Sequence, residues 1–171
     1  LPSMGTFIEV SLWHHCGEPP KDEFFLVLQE RLNEIENQFS LYIEGSELNR
    51  LNRKESFAPR AKDFDHLLEL SRELKAKTLG YFDVDSLKPL SVDGIAKGYA
   101  VEELALIIAP KHLFYKLNFS GNWLWNTPNK KGAVASSGNA HRPGHIVNPL
   151  TGKSIVSDGQ VTVEGPSAML C

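Results

Sequence analysis

Asp93-Gly94-Ile95-Ala96-Lys97-Gly98-Tyr99-Ala100 is the stretch on which the fold turns. It opens an apolar series, Tyr99, Val101, Leu104, Ile107 and Ile108, whose spacings of three and four predict a helix from about Ala96 to a stop at Pro110. A glycine loop feeding a helix start leaves backbone N–H groups that suit a phosphate, and Lys97 adds a positive charge. The P-loop spacing G-x-x-x-x-G-K-[ST] is absent, and an ordinary capped helix start is the alternative reading. Downstream, Leu113, Tyr115, Leu117 and Phe119 alternate with more polar partners, predicting a strand over Lys111–Phe119 with one buried face. Ala133–Ser136, His145–Val147 and Gln160–Glu164 are shorter strand candidates. Upstream, Phe7–Trp13 reads as a strand, and Cys16–Pro20 as a Gly/Pro break. Asp22–Gln38 carries Phe24, Phe25, Leu28, Leu32 and Ile35 on one helical face, with Asp22 as the N-cap. Asp63–Thr78 is a second helix, with Phe64, Leu67, Leu68 and Leu74 buried and Gly80 just past its end. This mixture, with several strands late in the chain, indicates an α+β fold: one domain over 1–171, with packed helices on a mixed or antiparallel sheet.

Composition narrows the function classes. The chain has 171 residues, 42% hydrophobic and 23% charged, which suits one soluble-type domain with a real core. A net charge of −3 without a Lys/Arg block gives no general attraction to nucleic acid. No apolar run approaches the roughly 20 residues of a membrane span. The N-terminus lacks a signal-peptide pattern, and Leu1 in first position leaves room for an upstream segment. Cys16 and Cys171 are too few for a disulfide framework. His14-His15-Cys16 is rejected as a metal site, because consecutive strand residues point to opposite faces.

Chemistry-bearing residues cluster in the connections. In Gly80-Tyr81-Phe82-Asp83, aromatics beside a carboxylate can stack on a flat ring and accept a ring N–H; a capping glycine followed by two core aromatics is the alternative. Phe39-Ser40-Leu41-Tyr42 precedes Ser46-Glu47-Leu48-Asn49-Arg50-Leu51-Asn52, where Ser46 can cap a short helix with Asn49 nearby. Ser136-Ser137-Gly138-Asn139 comes next. His145-Ile146-Val147-Asn148-Pro149-Leu150-Thr151-Gly152 reads as a strand and a Pro/Gly turn, in which His145 also reads as an ordinary strand histidine.

Taken in order from Met4-Gly5-Thr6 through these blocks to Asn148-Pro149-x-Thr151-Gly152, the sequence resembles the FAD:protein FMN transferases, the ApbE family. Gly94-Ile95-Ala96-Lys97-Gly98-Tyr99-Ala100 and His145-Ile146-x-Asn148-Pro149-x-Thr151-Gly152 are the most specific blocks. The resemblance implies an α+β fold that binds FAD, uses magnesium to cleave its pyrophosphate, transfers FMN to a threonine hydroxyl of an acceptor flavoprotein subunit and releases AMP. By motif position Met4, Tyr42, Tyr81, Phe82, Asp83 and Lys97 would contact FAD. Ala100 would offer its carbonyl to the metal, and His145 would lie by the reacting phosphate as a base. The resemblance also implies the cell envelope or periplasmic side, through a removed lipoprotein signal, with the cytoplasm as the alternative.

The chain departs from that pattern in three places. The Asp-x-x-x-Thr block of metal ligands lies past the position of Cys171. Val84–Pro89 is a short connection, and Ser120-Gly121-Asn122 stands where the family has Gly-Gly-Asp, followed by a short stretch to Lys131. The chain as given is therefore expected to bind magnesium poorly. A non-catalytic FAD-binding relative, and an FAD pyrophosphatase giving FMN and AMP, are the competing readings.

Overall fold

The computed structural model describes residues 1–14, 18, 20–56, 62–86, 88–139 and 144–171. Most of the Cys16–Pro20 break, and His15 and Cys16 of the rejected metal trio, lie outside the described residues. In chain order the elements are β1 (Pro2–Ser3), β2 (Thr6–Trp13), α1 (Asp22–Phe39), α2 (Glu47–Asn52), α3 (Lys62–Lys77), α4 (Asp93–Ile108), β3 (Phe114–Phe119), β4 (Asn122–Asn126), β5 (Lys131–Gly138), β6 (Val147–Asn148), β7 (Lys153–Ser154) and β8 (Gln160–Gly165). The class is α+β, as the sequence indicated. The chain folds as two compact units, each assembled from separate segments.

The first unit comprises Leu1–Glu36, Ala96–Ser136 and Thr162–Cys171. Its core element is a six-stranded sheet in the order β1-β2-β3-β4-β5-β8. The pairings from β1 to β5 are antiparallel, with Ile8 opposite Phe119, Leu117 opposite Leu124 and Leu124 opposite Ala133. Those residues are all buried and share one face of the pleat, so period-two alternation places them together. Leu28, Leu32 and Ile35 of α1, with Val101, Leu104 and Ile108 of α4, are also fully buried. Each such side chain contributes about 1.5–3 kcal/mol by leaving water. Arg31 ties the two helices together, donating to Glu103 at 2.7 Å and, more weakly, to Tyr99 Oη at 3.4 Å.

The second unit comprises Asn37–Ile95 and Ser137–Val161. Phe39 stacks on Phe64 of α3, with ring centroids 5.5 Å apart, among buried Leu48, Leu67, Leu68, Val84, Val92 and Ile95. β6 and β7 form a short antiparallel hairpin.

Several boundaries differ from the sequence reading. Asp22 is the first residue of α1 rather than its cap, because Phe24 N–H already donates to the Lys21 carbonyl. The strand expected from Lys111 begins at Phe114, since Ala109–Lys111 forms a 3-10 turn and His112 adopts a left-handed backbone with φ 55°. His145 and Ile146 precede β6 instead of belonging to it. Three strands were not anticipated, β1, β4 and β7. β4 follows a two-residue turn in which Ser120 and Gly121 both take positive φ, which lets β3 and β4 pair with the twist of a tight hairpin.

Candidate functional site

The motif around Ser46 is a lacing device that fixes the loop carrying Tyr42. Ser46 Oγ donates to the Ser40 carbonyl at 2.6 Å and accepts from Asn49 N–H at 3.1 Å, capping α2. The Asn49 amide donates to the carbonyls of Leu41 (2.9 Å) and Ile43 (2.8 Å), closing the loop on either side of Tyr42. Three residues later Asn52 does the same for a distant segment. It donates to the Leu90 carbonyl at 3.0 Å and accepts from Leu90 N–H at 2.9 Å, as a neighbouring strand would. The approach to Asp93 is thereby held against α2. Tyr42 itself is 78% exposed.

Gly80-Tyr81-Phe82-Asp83 forms a turn tied to the end of α3. Gly80 N–H donates to the Lys75 carbonyl and Phe82 N–H to Thr78 Oγ1, both within 2.9 Å. Tyr81 points outward, while Phe82 lies half-buried beside Gly94: a Cβ on Gly94 would sit 3.2 Å from Phe82 Cε2. On Gly80, a Cβ would meet Leu150 Cδ2 at 3.5 Å, so the turn also adjoins the Asn148–Gly152 block. That block is self-closed: Asn148 Oδ1 accepts from Leu150 N–H, and its carbonyl from Gly152 N–H. Three of the sequence blocks thus meet within the second unit.

Lys75 is the residue that sequence reasoning missed. Its ammonium lies 2.8 Å from Asp83 Oδ2, and Asp85 N–H donates to Oδ1 at 3.0 Å. The lysine beside it holds the Asp83 carboxyl below its ordinary value of 3.8, against the opposing effect of burial, and the Asp85 N–H adds to the lowering. A folded value below the unfolded one means the pairing contributes fully above pH 3.8 and is lost as pH falls through the folded value. Replacing Lys75 by methionine should therefore raise the Asp83 titration midpoint toward 3.8, and arginine should keep it low. Carboxyl-carbon NMR titration checks this; an unmoved midpoint would show that the ion pair does not form in solution. The signal in the sequence was a lysine in the last turn of a helix, eight residues before the acid.

His145 is exposed and stands next to Ile146, whose carbonyl accepts from Ile155 N–H at 2.8 Å. The buried Asn139 amide donates to the Ile155 carbonyl at 2.7 Å, tying the Ser136–Asn139 block to the same segment.

Met4, Lys97 and Ala100 belong to the first unit. Met4 sits in the β1–β2 turn with φ 49°, followed by Gly5 at φ 72°. Lys97 is half-buried on α4, and Ala100 is fully buried one turn further on. The glycines expected to form a loop before this helix lie inside it, because α4 begins at Asp93. One N–H at its start is already taken, Asp93 donating to Ser91 Oγ at 3.2 Å. Gly98 has a packing role: a Cβ there would stand 2.5 Å from the Ala168 carbonyl oxygen. The carboxylate of Glu102, one turn on, accepts from Ser167 Oγ (2.6 Å) and Met169 N–H (3.0 Å), clamping the same turn to the helix.

The sequence profile described as the ApbE family matches residues 4–91, 88 of the 171 residues, and takes in the Met4, Tyr42, Ser46–Asn52 and Gly80–Asp83 blocks. The chain belongs to the ApbE family. Its fold is that of solved ApbE structures. The flavin transferase ApbE of Vibrio cholerae matches at TM-score 0.84 and 20% identity, over 99% of this chain and 81% of that one. The apo flavinyl transferase ApbE of Pseudomonas stutzeri matches at 0.84 and 17%, over 98% and 79%. The ApbE protein of Thermotoga maritima matches at 0.81 and 16%, over 98% and 81%. At these identities the likeness is one of fold. No curated protein sequence matches the chain. Among the described residues, no helix is long and apolar enough to cross a membrane.

Proposed function

We propose that the chain is a FAD:protein FMN transferase acting on a threonine of an acceptor flavoprotein subunit. In that reaction the acceptor hydroxyl oxygen bonds the FMN phosphorus, the pyrophosphate P–O bond breaks, and AMP leaves. His145 is the proposed base that takes the hydroxyl proton. Tyr42, Tyr81 and Phe82 are proposed to flank the flavin ring, with Met4 as a further contact. Asp83, kept ionised by Lys75, would accept a ring N–H. Lys97 would neutralise charge developing on the phosphates. The observation that carries this reading is the meeting, within one unit of an ApbE-family chain, of the Gly80–Asp83 turn with Gly94 and Leu150.

Magnesium dependence is a further part of the proposal, and so is placement at the cell envelope. Among the described residues no three His, Cys, Asp or Glu side chains are grouped to hold a metal. Ala100, the proposed carbonyl donor, lies inside α4, where a helix carbonyl faces the N–H four residues on. These residues do not by themselves fit a divalent ion, so the roles given to the side chains here do not invoke one.

The test is incubation with FAD, magnesium and a threonine-bearing acceptor, followed by in-gel flavin fluorescence. A covalently fluorescent acceptor supports transfer. FMN and AMP released without labelling would instead make the chain a pyrophosphatase, and tight FAD binding without turnover a non-catalytic relative. Lys97→Ala should weaken FAD binding by about tenfold, the worth of one charge-assisted contact, with an unchanged melting temperature. Calorimetry measures the affinity. A lowered melting temperature at unchanged affinity would make Lys97 structural.

A further inference from the structure

All three tryptophans of the chain gather on the first unit's sheet. Trp123 and Trp125 alternate with buried Leu124 along β4, so they occupy the face opposite the buried one. Register puts Lys116 directly across from Trp125, and Phe114 across from Trp13, on that same face. Trp13, Lys116, Trp123 and Trp125, together with the β4–β5 turn, bound a groove of about 510 Å³ whose rim includes Asn129 and Lys130. A solvent-facing sheet surface is ordinarily polar, and Trp is an uncommon residue to leave there. Trp123 is nevertheless 38% exposed, and Trp13 and Trp125 are only half-buried.

The groove shows features of a built site. Gly132 leaves room for the Trp125 ring to lie across β5, since a Cβ there would be 2.9 Å from Trp125 Cζ2. Lys130 stands over the same ring, 5.4 Å from its centroid. That lysine already receives a carboxylate, Glu164 at 2.8 Å, which shows the chemistry this rim accepts. Lys116 makes no ion pair among the described residues. With Lys130 offset by Glu164, Lys116 leaves the groove one net positive charge, on a chain whose net charge is −3.

We propose that this groove docks an extended acidic segment of a partner polypeptide, with carboxylates on Lys116 and Lys130 and an apolar or proline side chain between the tryptophans. Aromatic anchors ringed by polar groups are the composition of protein-binding hot spots, and prolines and aromatics fit grooves lined by Trp. That the partner is a protein rests on the transfer reading; the preference for carboxylates rests on the groove alone.

The test uses a fluorescein-labelled peptide of repeating Asp-Pro-Phe-Glu, read by anisotropy without FAD. Binding should be saturable and weaken with salt. Lys116→Glu and Trp123→Ala should each weaken it about tenfold. Lys116→Glu should leave the melting temperature and FAD affinity unchanged, because it is an exposed sheet-surface residue outside the proposed flavin contacts. Equal binding of the neutral repeat Asn-Pro-Phe-Gln overturns the proposal, as does binding indifferent to both substitutions. Tighter binding of polygalacturonate or of phosphatidylglycerol vesicles overturns it in favour of a saccharide or a membrane. Failure here with intact FMN transfer removes the docking site alone; peptide binding by a protein that does not bind FAD removes the transfer reading alone.

Discussion

Replacing Gly98 by alanine should lower the melting temperature by about 5–10 °C, corresponding to a loss of about 2–3 kcal/mol. The added methyl would meet the Ala168 carbonyl oxygen at 2.5 Å and its carbonyl carbon at 2.9 Å, distances that real Cβ contacts do not show. Both are backbone atoms, so no side chain can swing aside. The turn bearing Ala168 cannot back away cheaply either, because Glu102 grips it at Ser167 and Met169. Alanine's better helix propensity would offset only about 1 kcal/mol of this. Gly94→Ala is the internal control, since its Cβ meets only the edge of the Phe82 ring, at 3.2 Å. Thermal unfolding of the pair decides the matter: equal melting temperatures for the two variants would mean the close approach of helix and turn does not exist in solution.

A second large loss is expected from Asn49→Ala. The amide of Asn49 donates to the carbonyls of Leu41 and Ile43 at 2.9 and 2.8 Å; on its removal Ile43 keeps the Ser46 N–H at 3.0 Å, and the Leu41 carbonyl loses its side-chain donor. Leaving the part-buried Leu41 carbonyl without that donor, and Ile43 with one donor instead of two, should cost about 1–3 kcal/mol in urea unfolding. Asn49→Asp should be worse, because an ionised carboxylate has no N–H to give and would face two carbonyl oxygens. The loop it closes carries Tyr42, so FAD affinity should fall further than global stability alone explains. If Asn49→Asp were as stable as the parent, the lacing would be wrong.

Much of this architecture was readable from periodicity. Leu28, Leu32 and Ile35 of α1, Phe64, Leu67 and Leu68 of α3, and the alternation from Leu113 to Phe119 reached the core, while Phe24, Phe25 and Leu74 stop half-buried, because burial imposes spacings of 3.6 and 2 on the chain. What escaped was settled by single residues. In Asn122–Asn126, the outer positions of the strand are tryptophans, so inside and outside are both apolar and alternation gives no contrast. The start of β3 moved because His112 accepts a left-handed backbone, which no side-chain pattern records. Of the candidate site, the blocks themselves were visible, and their meeting was not: Leu150 adjoins Gly80 through space although it lies seventy positions further along the chain. Lys75 was invisible for a related reason. An exposed lysine at a helix end is what any soluble helix offers, and only the turn beyond Thr78 brings Asp83 back to it.

The pairing of β2 with β3, Ile8 against Phe119, constrains the order in which the polypeptide can acquire its shape. At ribosomal speeds of about 5–20 residues per second, the later strand emerges roughly 5–20 s after the earlier one. During that interval β2 has only the short β1 as a neighbour, and its other edge presents unpaired N–H and C=O groups beside the apolar Ile8 and Val10. The nascent chain therefore passes through a stage in which its N-terminal hairpin is open to any strand that arrives first. Chains that stall before Phe114 remain in that stage, with the β2 edge unpaired.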